Sequence, residues 1–426
     1  MHPSPRSTTR RDRRAIIAWC LYDWANSAYP TVIVTFVFAA YFTRALTTDP
    51  EAATGAWGAA LALSGLAVAI LAPVLGAVAD QAGRRKPWIG AFTALAVLCA
   101  VALWWILPDP AYALAALVLI AVGNAAFELG QVFYNAMLPE VAPPGRVGRV
   151  SGWAWGLGYA GGLACLALVL VLFVREGTAL VPLDRASAEP VRVSGPFVAV
   201  WFALFAAPLF LFTPDRPGRR APLGPTIARG LRTLAASLRA LPGQRALGRF
   251  LIARMIYTDG LNTLFAFGGI YAAGTFAMSF EEILVFGILL NVAAGLGAAG
   301  FAWIDDLLGA RRTILLALVG LMVAGAAILV VESRVWFTVF GCVIGVFIGP
   351  AQAASRSLMA RLAPAEIRTE MFGLYALSGK ATAFVGPALV GWVTLWAGSQ
   401  RAGMATILVF FVVGFVLLWP LRDPPR

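Results

Sequence analysis

Twelve apolar stretches, each long enough to cross a bilayer as a helix, run through this chain at 15–43, 56–79, 87–107, 111–137, 150–174, 195–213, 248–275, 282–304, 312–331, 335–360, 371–395 and 402–420. A spanning helix needs about 20 predominantly apolar residues. Inside hydrocarbon every backbone N–H and C=O must be satisfied within the protein, so such stretches fold as helices rather than as an open sheet. The composition agrees: 60% of the 426 residues are hydrophobic and 13% are charged. A soluble domain carries about 45–50% and about 25%. An ordinary soluble enzyme, a disordered chain and a secreted disulfide scaffold are therefore excluded. The first stretch follows an arginine-rich tail but is too long for a signal-peptide core of about 7–15 residues, and no small-residue cleavage pattern follows it. It reads as a retained span, and the fold class is all-α with twelve transmembrane helices.

The net charge of +12 comes from 33 basic and 21 acidic residues. In a soluble protein it would suggest nucleic acid; here the distribution matters more than the sum. With the N-terminus placed inside, 24 basic residues fall in inner segments and six in outer ones. Lys and Arg concentrate in cytoplasmic loops, so the split predicts a multi-pass protein of the cell membrane with both termini cytoplasmic, and no nucleic-acid partner. The domains read as a tail (1–14), a six-helix bundle (15–213), a cytoplasmic linker (214–247), a second six-helix bundle (248–420) and a tail (421–426). In the linker, Ile227, Leu231, Leu234, Leu238 and Leu241 step by four and three along one face, while Arg229, Arg232 and Arg239 share another. That pattern predicts a helix lying on anionic headgroups.

Cys20, Cys99, Cys165 and Cys342 stand alone in apolar runs, and His2 is the single histidine. No metal site, disulfide framework or cofactor is expected from such a set. No phosphate-binding G-x-x-x-x-G-K-[ST] loop occurs, so ATP hydrolysis is not the expected drive. The same scarcity of histidine and the absence of a Ser-His-Asp set point away from an enzyme.

The chain repeats itself. Asp80, Gly83, Arg85 and Lys86 between the second and third spans match Asp306, Gly309, Arg311 and Arg312 between the eighth and ninth, both fitting D-x-x-G-x-R-[KR]. Glycine permits the tight turn there. Asp23, Asn26 and Ser27 in the first span are echoed by Asp259, Asn262 and Thr263 in the seventh. At a constant offset of 221, Gln131 matches Gln352, Ala142-Pro143 match Ala363-Pro364, and Gly152 matches Gly373. Two parallel halves follow, the arrangement in which transporters rock around a midplane site. The first half is expected to superpose on the second with Asp80 over Asp305 or Asp306, and Asp80 to cap the start of the eleventh span as an inner gate.

The stretches YDWANSAY (22–29), FYNAMLPE (133–140), SRSLMARLAP (355–364) and FGLYALSGKATAFVGP (372–387) resemble the autophagy-related vacuole-effluxer family of the major facilitator superfamily. The resemblance runs from about residue 15 to 420, and its four stretches are more specific than the Asp-Gly-Arg loops, which mark the superfamily at large. It implies the major facilitator fold and export of amino acids from a lysosome-like compartment. Only Lys86 and Lys380 are lysines among the basic residues, which suggests a GC-rich bacterium and a bacterial inner membrane in place of a vacuole.

Ionisable residues inside a membrane are costly and mark candidate sites. Six stand within the stretches: Asp23, Glu128, Arg254, Asp259, Arg356 and Lys380. In the fourth span Asn124, Glu128, Gln131 and Asn135 share a face, and the 221 offset carries that face to Gly345, Gly349, Gln352 and Arg356. Both stripes are expected to face one cavity, Glu128, Gln131 and Asn135 opposite Gln352 and Arg356. Lys380 needs a carboxylate, from the protein or from cargo; Arg254 reads as an interface anchor. Gly152, Gly156, Gly158 and Gly162 read as helix-packing positions. Trp153, Trp155 and Tyr159 read equally as pocket or interface residues, and Asn291 as a lone polar group of the eighth span.

These residues point to a proton-coupled secondary transporter, working as a monomer on a small zwitterion such as an amino acid or peptide. Arg356 or Lys380 would hold its carboxylate, and Asp23 or Glu128 its ammonium. The rivals are an exporter of amphipathic drugs or metabolites and a non-transporting sensor or assembly protein of the same fold.

Overall fold

The computed structural model describes residues 10–47, 49–175, 183–218, 223–241 and 243–423. His2, Arg6, Arg219, Arg220 and Arg426 of the sequence reading lie outside them. Among the described residues ten helices are long and apolar enough to cross a bilayer unaided: spans one (Arg10–Ala45), two (Glu51–Ala82), three (Lys86–Trp105), four (Pro110–Val141), five (Val147–Val174), six (Glu189–Phe212), eight (Glu281–Leu308), nine (Ala310–Val330), ten (Arg334–Leu362) and twelve (Gln400–Leu418). Span seven (Arg245–Phe276) is equally long but carries Arg254 and Asp259. A separate helix, Leu223–Ala240, connects the halves. No strand occurs among the described residues.

Span eleven corrects the expectation of one continuous helix over 371–395. It is two helices, Arg368–Ser378 and Val385–Ala397, separated by turns over 379–384. The cause is local. Pro387 has no N–H to give the carbonyl four residues back, and its ring crowds that carbonyl. Gly379 adds the weakest helix former after proline at the other end of the break.

Helix packing reproduces the repeat. In the first half span one packs on spans five and six, span four on two and three, and span three on six. Adding six to each number gives the packing of the second half. The halves touch mainly through span two on span eleven and span five on span eight, which the same operation interchanges. Glycines set how closely they approach. A Cβ on Gly373 would meet the Ala72 carbonyl oxygen of span two at 2.5 Å, and one on Gly152 would meet that of Ala298 in span eight at 2.5 Å. Both loop glycines of the D-x-x-G repeat have positive φ, +89° at Gly83 and +100° at Gly309, which is why glycine stands there.

Candidate functional site

The bundle is closed at the end that carries both termini and open at the other. At the far end a cavity of about 1050 Å³ lies between the halves, lined from the first half by residues such as Thr31, Thr35 and Leu61 and from the second by Phe265, Phe286 and Asn291. Its lining is mostly apolar.

Apart from Arg149–Asp306 and Arg368–Glu140 at the closed end, two ion pairs join the halves in the interior of the bundle, the first just below the cavity level. Lys380, in the break of span eleven, donates to Glu128 Oε1 at 2.7 Å. Asn124 links Glu128 to Ser64 of span two, at 3.4 and 3.0 Å. The side chains of Lys380 and Glu128 keep 33% and 20% of their exposure, although neither is among the residues that line the cavity. The continuous-helix reading missed that the unwound turn is what aims Lys380 across the interface.

The second pair is sealed. Arg356 of span ten donates to Asp23 at 2.9 Å, to Asn135 at 3.1 Å, and to the hydroxyl and carbonyl oxygens of Ser151. Its guanidinium lies over the rings of Trp19, Tyr134 and Trp155, a stacking that suits its planar charge. Arg356 and Asp23 are 2% and 5% exposed. Asn135 and Arg356 are partners under the 221 offset, so their contact stands on the pseudo-twofold axis. The stripes of spans four and ten thus face each other, but at this depth they touch with no cavity between them. Gln352 accepts from Tyr159 of span five at 2.7 Å, and the buried Gln131 Oε1 has no hydrogen-bond partner.

The seventh-span echo serves a different task. Asp259 is 2% exposed, and one carboxylate oxygen accepts from the Gly386 N–H at the start of Val385–Ala397. Arg254 donates to the Tyr375 carbonyl and the Ser378 hydroxyl at the end of Arg368–Ser378. Anion at a helix start and cation at a helix end match the helix dipoles, so span seven braces both ends of the break. Asn26 is buried beside Asp23, whereas Asn262 is exposed and does not line the cavity.

The end with the termini is closed by the repeated loops. Asp80 accepts from the Thr369 hydroxyl and the Glu370 N–H at the start of span eleven, at 2.6 and 2.9 Å. Asp306 accepts from the Gly148 and Arg149 N–H groups at the start of span five, at 2.8 and 3.2 Å. Asp306, rather than Asp305, is therefore the counterpart of Asp80; Asp305 instead takes Arg361 and Ser357. Arg85 bonds Thr369, Ala136 and Glu140. Burial pulls its guanidinium toward deprotonation, and the Glu140 carboxylate opposes this. Arg311 is held differently, by the carbonyls of Leu418 and Trp419. Cys20, Cys99 and Cys165 are buried free thiols, Cys342 is a half-buried one, and no metal-binding cluster is found among the described residues.

The family model described as vacuole effluxer Atg22 like matches residues 143–423, and that of the Major Facilitator Superfamily matches 3–166. An uncharacterized MFS-type transporter, YxiO of Bacillus subtilis (strain 168), is 26% identical over 405 residues, covering 94% of this chain and 93% of that one. Autophagy-related protein 22 of Cryptococcus neoformans var. neoformans serotype D (strain JEC21 / ATCC MYA-565) is 26% identical over 293 residues, 63% of this chain; the match covers 49% of that protein, about half its length. Among solved structures, the transporter FucP in its outward conformation aligns with TM-score 0.74 at 15% identity, over 97% of this chain and all of that one. A bacterial homologue of the iron transporter ferroportin in its outward-facing state gives 0.69 at 14%, over 97% and 99%. At such identities these two establish the fold alone.

Proposed function

The chain belongs to the Atg22-like vacuole-effluxer family of the major facilitator superfamily, and from that premise we propose a proton-coupled secondary transporter of amino acids or small peptides. The Glu128–Lys380 pair carries this reading. It bridges the halves below the open cavity, and both members remain partly exposed. A zwitterion offers each member a replacement partner, its ammonium for Glu128 and its carboxylate for Lys380. Binding then exchanges a contact between the halves for contacts to cargo, which ties occupancy to rocking. A proton on Glu128 would release Lys380 in the same way. The arginine bias supports a cytoplasmic position for both termini in a cell membrane, so that the cavity opens away from the cytoplasm. The protein acts as a monomer.

The test is exchange of labelled amino acids in proteoliposomes, with and without a proton gradient. Glu128→Gln is expected to keep exchange and lose gradient-driven accumulation, because a neutral side chain still permits rocking with cargo bound. Lys380→Met is expected to weaken both. Undiminished accumulation in the two variants would sink the reading. A second reading, export of an amphipathic drug or metabolite, is favoured by the mostly apolar lining of the far-end cavity. It predicts transport of amphipathic dyes and none of the amino acids.

A further inference from the structure

The linker helix Leu223–Ala240 has three faces, not two. Thr226 and Leu234 are buried, Gly230 is buried with them, and Thr233, Ser237 and Leu241 are half-buried. Their spacing of four, three and four draws one narrow stripe. That stripe docks on the closed end of span two. A Cβ on Gly230 would meet the backbone of Ala77 and Val78 at 3.0–3.1 Å, and Gln81 donates to the Thr233 hydroxyl at 3.4 Å. Ser237 lies against Glu370 of span eleven, whose side chain is wholly buried. One helix therefore rests on the two spans joined by Asp80, and covers an acidic side chain at their junction.

The other two faces are open. Ile227, Leu231 and Leu238 stay 44%, 45% and 47% exposed. Beside them Arg229, Arg232 and Arg239 are exposed, and Arg245 and Arg249 extend the charge into span seven. Leu234, expected with the apolar stripe, has turned to the docking side. An apolar ridge flanked by a cationic one matches an anionic lipid surface, acyl chains against the first and headgroups against the second.

We propose that this helix is a lipid-responsive clamp. Seated on anionic lipid, it is held against spans two and eleven and keeps the end with the termini shut; without that seat, it leaves Glu370 uncovered and the gate opens more readily. The proposal concerns the gate and not the cargo, so it is tested without substrate. Spin labels at the closed ends of spans two and eleven report their separation in vesicles of phosphatidylcholine with and without phosphatidylglycerol. The anionic lipid is expected to lower the open-to-closed ratio by roughly tenfold. The surface variant Arg229→Gln/Arg232→Gln/Arg239→Gln is expected to behave in both vesicles as the native chain does in neutral ones. Gly230→Leu, which undocks the helix, is expected to raise the open fraction in both. A native chain indifferent to the lipid, or a triple variant that keeps the full response, overturns the clamp.

Discussion

Two of the ion pairs between the halves lie in the interior of the bundle, and they differ in nearly everything but their charge. Asp23–Arg356 is sealed beneath aromatic rings and bonded on every side, its side chains 8% and 3% exposed. Glu128–Lys380 is bonded at one oxygen, and its side chains are 20% and 33% exposed. Burying two charges costs several kcal/mol each, which only good geometry and further hydrogen bonds offset. The sealed pair meets that condition and the partly exposed pair does not need to. On the proposed function, the first is a latch that breaks when the bundle opens at the end with the termini. On the same reading, the second is where cargo or a proton intervenes.

The largest effect expected from this contrast is at the latch. Arg356→Met leaves a buried carboxylate unpaired, and is expected to cost about 3–5 kcal/mol in thermal unfolding measured in detergent. Adding Asp23→Asn should recover more than half of that loss. Equal melting of the single and double variants would show that the pair is not the source. Next comes the packing that keeps the latch dry. Gly373→Leu drives a side chain into the Ala72 carbonyl and Pro73 at the contact of spans two and eleven. Overpacking of this kind costs about 1–3 kcal/mol, and label distances should lengthen at the end with the termini. Gly391→Leu, whose Cβ meets nothing within 4 Å, should leave them unchanged. The partly exposed pair should respond in binding and hardly in stability. Lys380→Met is expected to raise the Kd for a transported amino acid about tenfold, roughly 1.4 kcal/mol, with melting close to native. The smallest effect is at Arg334–Glu282, an ion pair with 51% and 43% exposed side chains. Arg334→Ala should leave both melting and transport unchanged, because exposed pairs contribute little.

What could be read from the sequence was whatever periodicity or repetition encodes. Spans follow from apolar length, the gate from the paired D-x-x-G loops, and the facing of Asn135 and Arg356 from one constant offset, although a direct contact stands where a space between them was expected. The partners were not legible, because an ion pair between spans one and ten leaves no spacing in the chain. Nothing near Lys380 in sequence names Glu128, 252 positions away. The break in span eleven did leave a signal, in Gly379 and Pro387, but apolar length masked it. The docking face of the linker helix was hidden for another reason. It is made of Thr226, Gly230, Thr233 and Ser237, small residues that a search for apolar stripes passes over.

The contact on the pseudo-twofold axis limits how the two halves can be recombined. A residue on such an axis meets its own counterpart, and here that means Asn135 against Arg356, at 3.1 Å. A dimer of second halves would set guanidinium against guanidinium, and its own echo of Asp23, Asp259, is already bound to Gly386. A dimer of first halves would set amide against amide and leave Asp23 without a cation. The halves are thus complementary rather than interchangeable, like the two chains of an obligate heterodimer. Expressed as separate polypeptides, they should find each other and refuse their own kind.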